Sequence, residues 1–225
     1  MQTVFATVSR MPPVISAAHT MPRAPRETLS SGLRRTFAKG DALFAEGDPS
    51  DYFYEVVSGT VRTSKLLSDG RRQIDAFHLA GDIFGLENSK DRYFTAEAIE
   101  PVVVLAFRRT EFKTLLHTDP ALGDQLMSAT IASLDRAHDH MVLLGRKTAL
   151  EKVATFLLDL ANRLSRGNSV DLPMQRADIA DYLGLTIETV SRVLSQMVRD
   201  GLIAVTSASR TIFLKDKAAL ELLAV

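Results

Sequence analysis

"RADIADYLGLTIETVSRVL", Arg176 to Leu194, sets a small residue and a glycine, Ala180-x3-Gly184, between two short segments whose apolar residues recur at helical spacing. Ile179, Leu183, Leu185, Val190 and Val193 stand where two helices crossing at a steep angle must bury side chains. Ala180 is small enough for the crossing, and Gly184 supplies the tight turn. Thr186 stands where the second helix needs a hydroxyl to accept from an orphan amide one turn on. The stretch therefore predicts two helices hinged at a glycine.

With Val190, Val193, Leu194 and Met197 turned inward, Glu188, Ser191, Arg192 and Ser195 share the outer face, because steps of three and four stack side chains on a helix. In a DNA major groove an arginine donates twice to guanine O6 and N7, and a glutamate one turn earlier accepts from a cytosine amine. Glu188, Ser191 and Arg192 are thus the expected base-reading residues. Arg176, Thr186, Thr189 and Arg199 flank them where phosphates would pass, and would position the module without specifying sequence. Standing alone, Glu188 and Arg192 would read as an ordinary exposed i, i+4 pair contributing a few tenths of a kcal/mol. The hinge, the cap and the following hairpin together point to DNA recognition.

Outward from this motif, "LIAVTSASRTIFLKD" places Leu202 to Val205 and Thr211 to Leu214 on either side of a small polar turn, a hairpin. Before it come a short strand at Val170 to Pro173 and a helix at Ala149 to Leu164, with Leu150, Val153, Phe156, Leu157, Leu160 and Leu164 on one face. Residues 146–225 read as a winged helix-turn-helix domain. In 119–145, Met127, Thr130, Leu134, Ala137, Met141 and Leu144 recur at steps of three and four, a coiled-coil seam about three heptads long. Asp135, Arg136, His138, Asp139 and His140 fall mostly off it. Two such helices side by side would make a homodimer and present two winged helices half a palindrome apart.

Residues 29–118 have a different period. Glycines at 40, 47, 59, 70, 81 and 85 punctuate short β-branched or alternating runs, such as Tyr52 to Val57, Val61 to Leu66 and Ile74 to Phe77, with "SDG" at Ser68 to Gly70 as a hairpin turn. Many short strands with regular turns argue for a jelly roll, and the fold class is α+β. Residues 1–28 carry arginines and no acid before Glu27, as a transit peptide does, but their prolines break an amphipathic helix, so the expectation is a disordered arm.

Composition excludes more than it selects. The 225 residues carry 27 basic and 27 acidic side chains, so contact with nucleic acid must come from a local patch rather than a global field. The chain has no cysteine, which removes disulfides, thiolate-held zinc or iron–sulfur clusters and thiol switches. The absence of a membrane-length apolar run and of a secretory signal core leads to a cytoplasmic expectation.

The motifs "GDALFAEGD", "SDGRRQI", "AGDIFG", "RAHDHMVLLGRK" and "ADIADYLGLTIETVSR" together resemble the CRP/FNR transcription regulators, and among them the FixK subgroup, from about Phe37 to the C-terminal end. The resemblance implies a cyclic-nucleotide-binding-like β-roll, a long dimerisation helix and a C-terminal winged helix. It carries base reading onto Glu188, Ser191 and Arg192 through the E-x-x-S-R pattern, on a TTGA-N6-TCAA-like palindrome. It also implies activation of genes for low-oxygen respiration or nitrogen fixation. The loop Gly85 to Tyr93 is similar to loops that meet RNA polymerase in the family, and reads equally well as an ordinary exposed loop. Members that bind cyclic AMP carry Gly-Glu-Leu and then Arg-Ser around the phosphate. Here Gly85-Leu86-Glu87 and Arg92-Tyr93 depart from both, Arg92 reads as a solvated loop charge, and no cofactor or metal is expected.

Two other functions have weaker support. A haem-based gas sensor of the same family would take His78, His117 or His138 as ligand, but a lone histidine on a strand end or helix without an attachment motif is more often structural. A metal-dependent enzyme would use His138 and His140, yet steps of two put them on different helix faces.

Overall fold

A side chain at Gly59 would place its Cβ 2.3 Å from the Pro101 carbonyl oxygen, and the backbone there has φ of 83°. Only glycine lets the chain reverse so tightly between the two strands it joins. This computed structural model describes residues 32–224 apart from 112–113, 115, 118–119, 165–166 and 207–209. The expected arm at 1–28 lies outside the described residues.

The N-terminal strands are β1 (Leu33–Phe37), β2 (Ala42–Phe44), β3 (Tyr52–Ser58), β4 (Val61–Leu66), β5 (Arg72–His78), β6 (Ile83–Phe84), β7 (Thr95–Ala98) and β8 (Val102–Arg108). They form two antiparallel four-stranded sheets, ordered β1-β8-β3-β6 and β2-β7-β4-β5, as the glycine-punctuated runs predict. Between them, Phe44, Tyr54 and Phe84 stack with ring centroids 5.4 to 6.3 Å apart over Val56, Val61, Ala96 and Val104. Edge-offset packing of this kind adds to plain area burial.

Arg92 corrects the sequence reading. It is only 3% exposed rather than solvated. Its guanidinium lies 4.0 Å from the Phe44 ring centroid and donates to the carbonyls of Gly85, at 3.1 Å, and Tyr52. Carbonyl and ring partners offset part of the cost of taking the charge out of water, Nε being left without a hydrogen bond among the described residues, and Tyr52 and Phe44 lie far from it in sequence.

Helix α1 (Pro120–Arg146) packs Leu126 and Ala129 onto Phe53, Ile83, Leu105 and Phe107 of the roll. Helix α2 (Ala149–Leu164) starts at a capping box, in which the Thr148 amide donates to Glu151 Oε2 at 2.7 Å. It buries Val153, Phe156, Leu157 and Leu160. Then follow β9 (Ser169–Asp171), α3 (Arg176–Leu183), α4 (Ile187–Arg199), β10 (Ile203–Val205), β11 (Thr211–Leu214) and α5 (Lys217–Leu223). The wing sheet is ordered β10-β11-β9. Its first strand runs one residue earlier than expected and stops at Asp171, the partner of Thr211, before Pro173, which has no amide to donate.

Candidate nucleic-acid interface

Helix α3 ends where Gly184 enters the left-handed region, with φ of 61° and ψ of 42°, and donates its amide to the Ala180 carbonyl. The Leu185 amide donates to the same carbonyl at 3.0 Å. The Ala180-x3-Gly184 pair is therefore the hinge that the sequence predicts. At the start of α4 the Thr186 hydroxyl accepts from the Thr189 amide at 3.2 Å, closing the cap. Val190, Val193, Leu194 and Met197 are buried, which leaves Glu188, Arg192 and Ser195 exposed and Ser191 half-buried on the other face.

Flanking residues divide. Arg176 is exposed and reaches across to α4, donating from Nη1 to Ser191 Oγ at 3.3 Å. Arg199 is exposed in the last turn of α4, where the helix dipole favours a cation. Thr186 and Thr189 are tied to one another, hydroxyl to hydroxyl at 3.0 Å, and serve the cap. Ser195 turns its hydroxyl back to the Ser191 carbonyl at 2.9 Å. Arg210, at the foot of the wing, was missed by the sequence reading. It donates to the Pro173 carbonyl at 3.2 Å and lines a cleft of about 290 Å³ together with Arg176. The short wing signal "SASRT" holds no spacing that would single it out.

The outer face of α1 is apolar: Met127, Leu134 and Met141 are 63%, 55% and 65% exposed. Thr130 and Ala137 are exposed beside them. Ile131, 53% exposed, belongs to this face although the expected seam passed over it. Leu144 leaves it. That side chain is half-buried on the core of the winged helix, and a Cβ on Gly184 would lie 3.4 Å from its Cδ2. Arg136 and His140 face the body of the protein as well, His140 stacking on Tyr182 with centroids 4.0 Å apart and Nε2 2.8 Å from the Tyr182 carbonyl.

The histidines considered as ligands have other surroundings. His78 is buried, stacked on Phe84 and 3.0 Å from Thr63 Oγ1. Burial pushes its pKa down to about 4. His117 and His138 are exposed. Among the described residues no group of three or more His, Asp or Glu side chains is placed to hold a metal ion, and no helix is long and apolar enough to cross a membrane.

Comparison with known proteins matches both halves. The pattern of the cyclic nucleotide-binding domain fits residues 34–119, and that of the Crp-like helix-turn-helix domain fits residues 151–223. The nitrogen fixation regulation protein FixK of Azorhizobium caulinodans is 42% identical over 91% of this chain and 84% of its own length. FixK of Rhizobium meliloti is 39% identical over 96% of this chain and 97% of its own. The solved structure of FixK2 from Bradyrhizobium japonicum superimposes with a TM-score of 0.80 at 45% identity, covering 86% of this chain and 98% of that one.

The chain belongs to the FixK group of CRP/FNR transcription regulators. It is a DNA-binding regulator, and its relatives are regulators rather than enzymes. In this FixK-group protein the Gly85 turn of the cyclic-nucleotide-binding domain is covered by the protein's own arginine. A Cβ on Gly85 would lie 2.9 Å from Arg92 Nη1, so the arginine already occupies the space over that glycine. Glu87 Oε2 lies 3.8 Å from Arg92 Nη1 and brings a negative charge beside it. Nη1 and Nη2 of the arginine thus face inward, onto the protein's own carbonyls.

Proposed function

We propose that the protein is a homodimeric activator that binds an inverted TTGA-N6-TCAA-type palindrome without a small-molecule effector. Glu188, Ser191 and Arg192 read bases, Arg176 and Arg199 hold phosphates, and the α1 face around Leu134 joins the two copies. An N6 spacer sets the half-site centres about 10 bp apart, one turn of DNA, which suits two recognition helices related by a twofold axis. The protein's targets are genes for low-oxygen respiration or nitrogen fixation, a reading supported by relatives that are nitrogen fixation regulation proteins. The loop Gly85 to Tyr93, with Asn88, Ser89, Lys90 and Tyr93 exposed, is the surface offered to RNA polymerase.

The observation that carries effector independence is the buried Arg92. A ligand shifts an equilibrium only through differential affinity, and here the arginine that would meet a nucleotide phosphate is buried, with Nη1 and Nη2 already donating to Gly85 and Tyr52 and its plane over Phe44. The test is a binding titration on the palindrome with aerobically purified protein shown to be colourless, metal-free and nucleotide-free. Nanomolar binding is expected. Binding that appears only after a cofactor or cyclic nucleotide is added overturns the reading.

A further inference from the structure

A charge cluster between the roll and the winged helix has no part in base reading. On the roll, Glu97, Arg62 and Arg72 stand on the neighbouring strands β7, β4 and β5. On α3, Asp178 is the first-turn acid and is 4% exposed. One oxygen of its carboxylate accepts from Arg62 Nη1 at 2.6 Å and from Arg72 Nη2 at 2.7 Å, while the other takes the Gln175 amide at 3.1 Å. Arg72 also holds Asp181, donating from Nε at 2.8 Å and from Nη2 at 2.7 Å. Glu97 keeps Arg62 in line, its Oε2 accepting from Nε and Nη2 at 3.1 Å each. Gln73 Nε2 adds a bond of 3.4 Å to the Tyr182 carbonyl.

These arginines hold one side of α3, and α1 holds another. His140 stacks on Tyr182, and Leu144 packs at the Gly184 turn. Helix α1 in turn is seated on the roll through Leu126 and Ala129. The helix-turn-helix is therefore fixed relative to the exposed α1 face by two independent sets of contacts, while Glu188 and Arg192 remain exposed. Charged pairs with planar, multiply bonded guanidinium geometry fix orientation as well as distance.

We propose that Arg62 and Arg72 are positioning residues for DNA recognition: their clamp on Asp178 and Asp181 sets the separation of the two recognition helices, and hence the half-site spacing that the dimer accepts. The proposal rests on the dimeric, palindrome-reading function above. A residue that acts this way changes spacing preference without changing base preference. The experiment compares full-length wild type, Arg72→Gln, Asp181→Asn and Arg62→Gln/Arg72→Gln on TTGA duplexes with N5, N6 and N7 spacers, and on N6 duplexes with one base changed. The arginine double variant is expected to bind the N6 palindrome about tenfold more weakly and to lose most of its N6-over-N7 preference, with the ratio between correct and changed bases unaltered. Arg72→Gln and Asp181→Asn should each shift the preference partway.

An unchanged spacer preference in folded, dimeric Arg72→Gln and Asp181→Asn proteins overturns the proposal, and so does a loss of base preference in step with spacing. Asp181 makes none of the α3 capping bonds, so its variant decides the matter if the arginine double variant misfolds. A wild type that binds no duplex without an effector defeats effector independence alone. Amide exchange across α3 then tests the clamp without DNA: it should quicken at least several-fold in Arg72→Gln, and unchanged protection counts against the clamp.

Discussion

Arg192 and Arg199 lie on the same helix and carry the same charge, and the proposed function gives them different work. Arg192 stands on the outer face with Glu188 one turn before it, opposite the buried row of Val190, Val193 and Met197. Arg199 closes the last turn of α4, about two turns beyond Arg192. Arg192→Ala is expected to cost on the order of 1 to 3 kcal/mol per half-site and to relax discrimination at one G·C pair. Arg199→Ala should weaken all sequences about equally and shallow the salt dependence of binding. Titrations on single-base variants of the palindrome at several salt concentrations separate the two, and an Arg192→Ala protein with wild-type base preference refutes its role. Both residues were legible in the sequence because helical spacing alone turns them outward. Arg92 was not, since what holds it inside is the Phe44 ring of β2 and the Tyr52 carbonyl of β3, both far from it in sequence.

At the scale of elements, α1 has two faces with different partners. Leu126, Ala129 and Leu143 are buried against the protein's own body. Met127, Ile131, Leu134 and Met141 face outward at steps of four, three and seven, a seam that a second copy would cover. Leu134→Glu places a charge in the middle of that seam on both copies, where a partner helix would strip it of water. The variant should sediment as a monomer at micromolar concentration and bind the palindrome far more weakly than wild type, while its thermal unfolding as a folded chain persists. A stable dimer of this variant at low concentration contradicts the assigned face. The apolar period was enough to find the helix to within a residue or two. It did not distinguish the face turned to the roll from the face turned out, because both carry apolar residues at helical steps, and so Leu144 was placed on the seam and Ile131 left off it.

Over the whole molecule, one apolar cluster runs from Ile74, Phe77, Leu79 and Ile99 of the roll into Val153, Phe156, Leu157 and Leu183 of the winged helix. Polar groups reinforce the same junction. Asp82 on the roll accepts from Arg163 of α2 at 2.6 Å and lies 3.9 Å from Arg136 of α1. Burial opposes its ionisation, but the two arginines outweigh burial and hold its carboxyl well below the usual carboxylate range. Nearby His78 is buried in its neutral form with a pKa of about 4, against about 6.5 in an unfolded chain. The unfolded state then binds more protons than the native state between these values, so stability is full above pH 6.5 and declines as pH falls towards 4. The loss from His78 is on the order of 3 kcal/mol. Denaturant unfolding at a series of pH values should show this slope, and His78→Gln should flatten it; an unchanged slope in the variant would assign the titration to other groups.

The local order of this protein was written in its sequence: the glycine hinge, the Thr186 cap, the outward Glu188 and Arg192, and the strands between punctuating glycines each depend on neighbours within a few residues. Tertiary structure alone decided what distant groups do to one another. Asp178, in the first turn of α3, is the shared anchor of Arg62 and Arg72, more than a hundred residues away. Arg92 reads as a loop charge and becomes a buried tie between strands. Periodicity reports which way a side chain points along its own element, but the burial and pairing of a charge depend on what folds over it, and that information is spread across the whole chain.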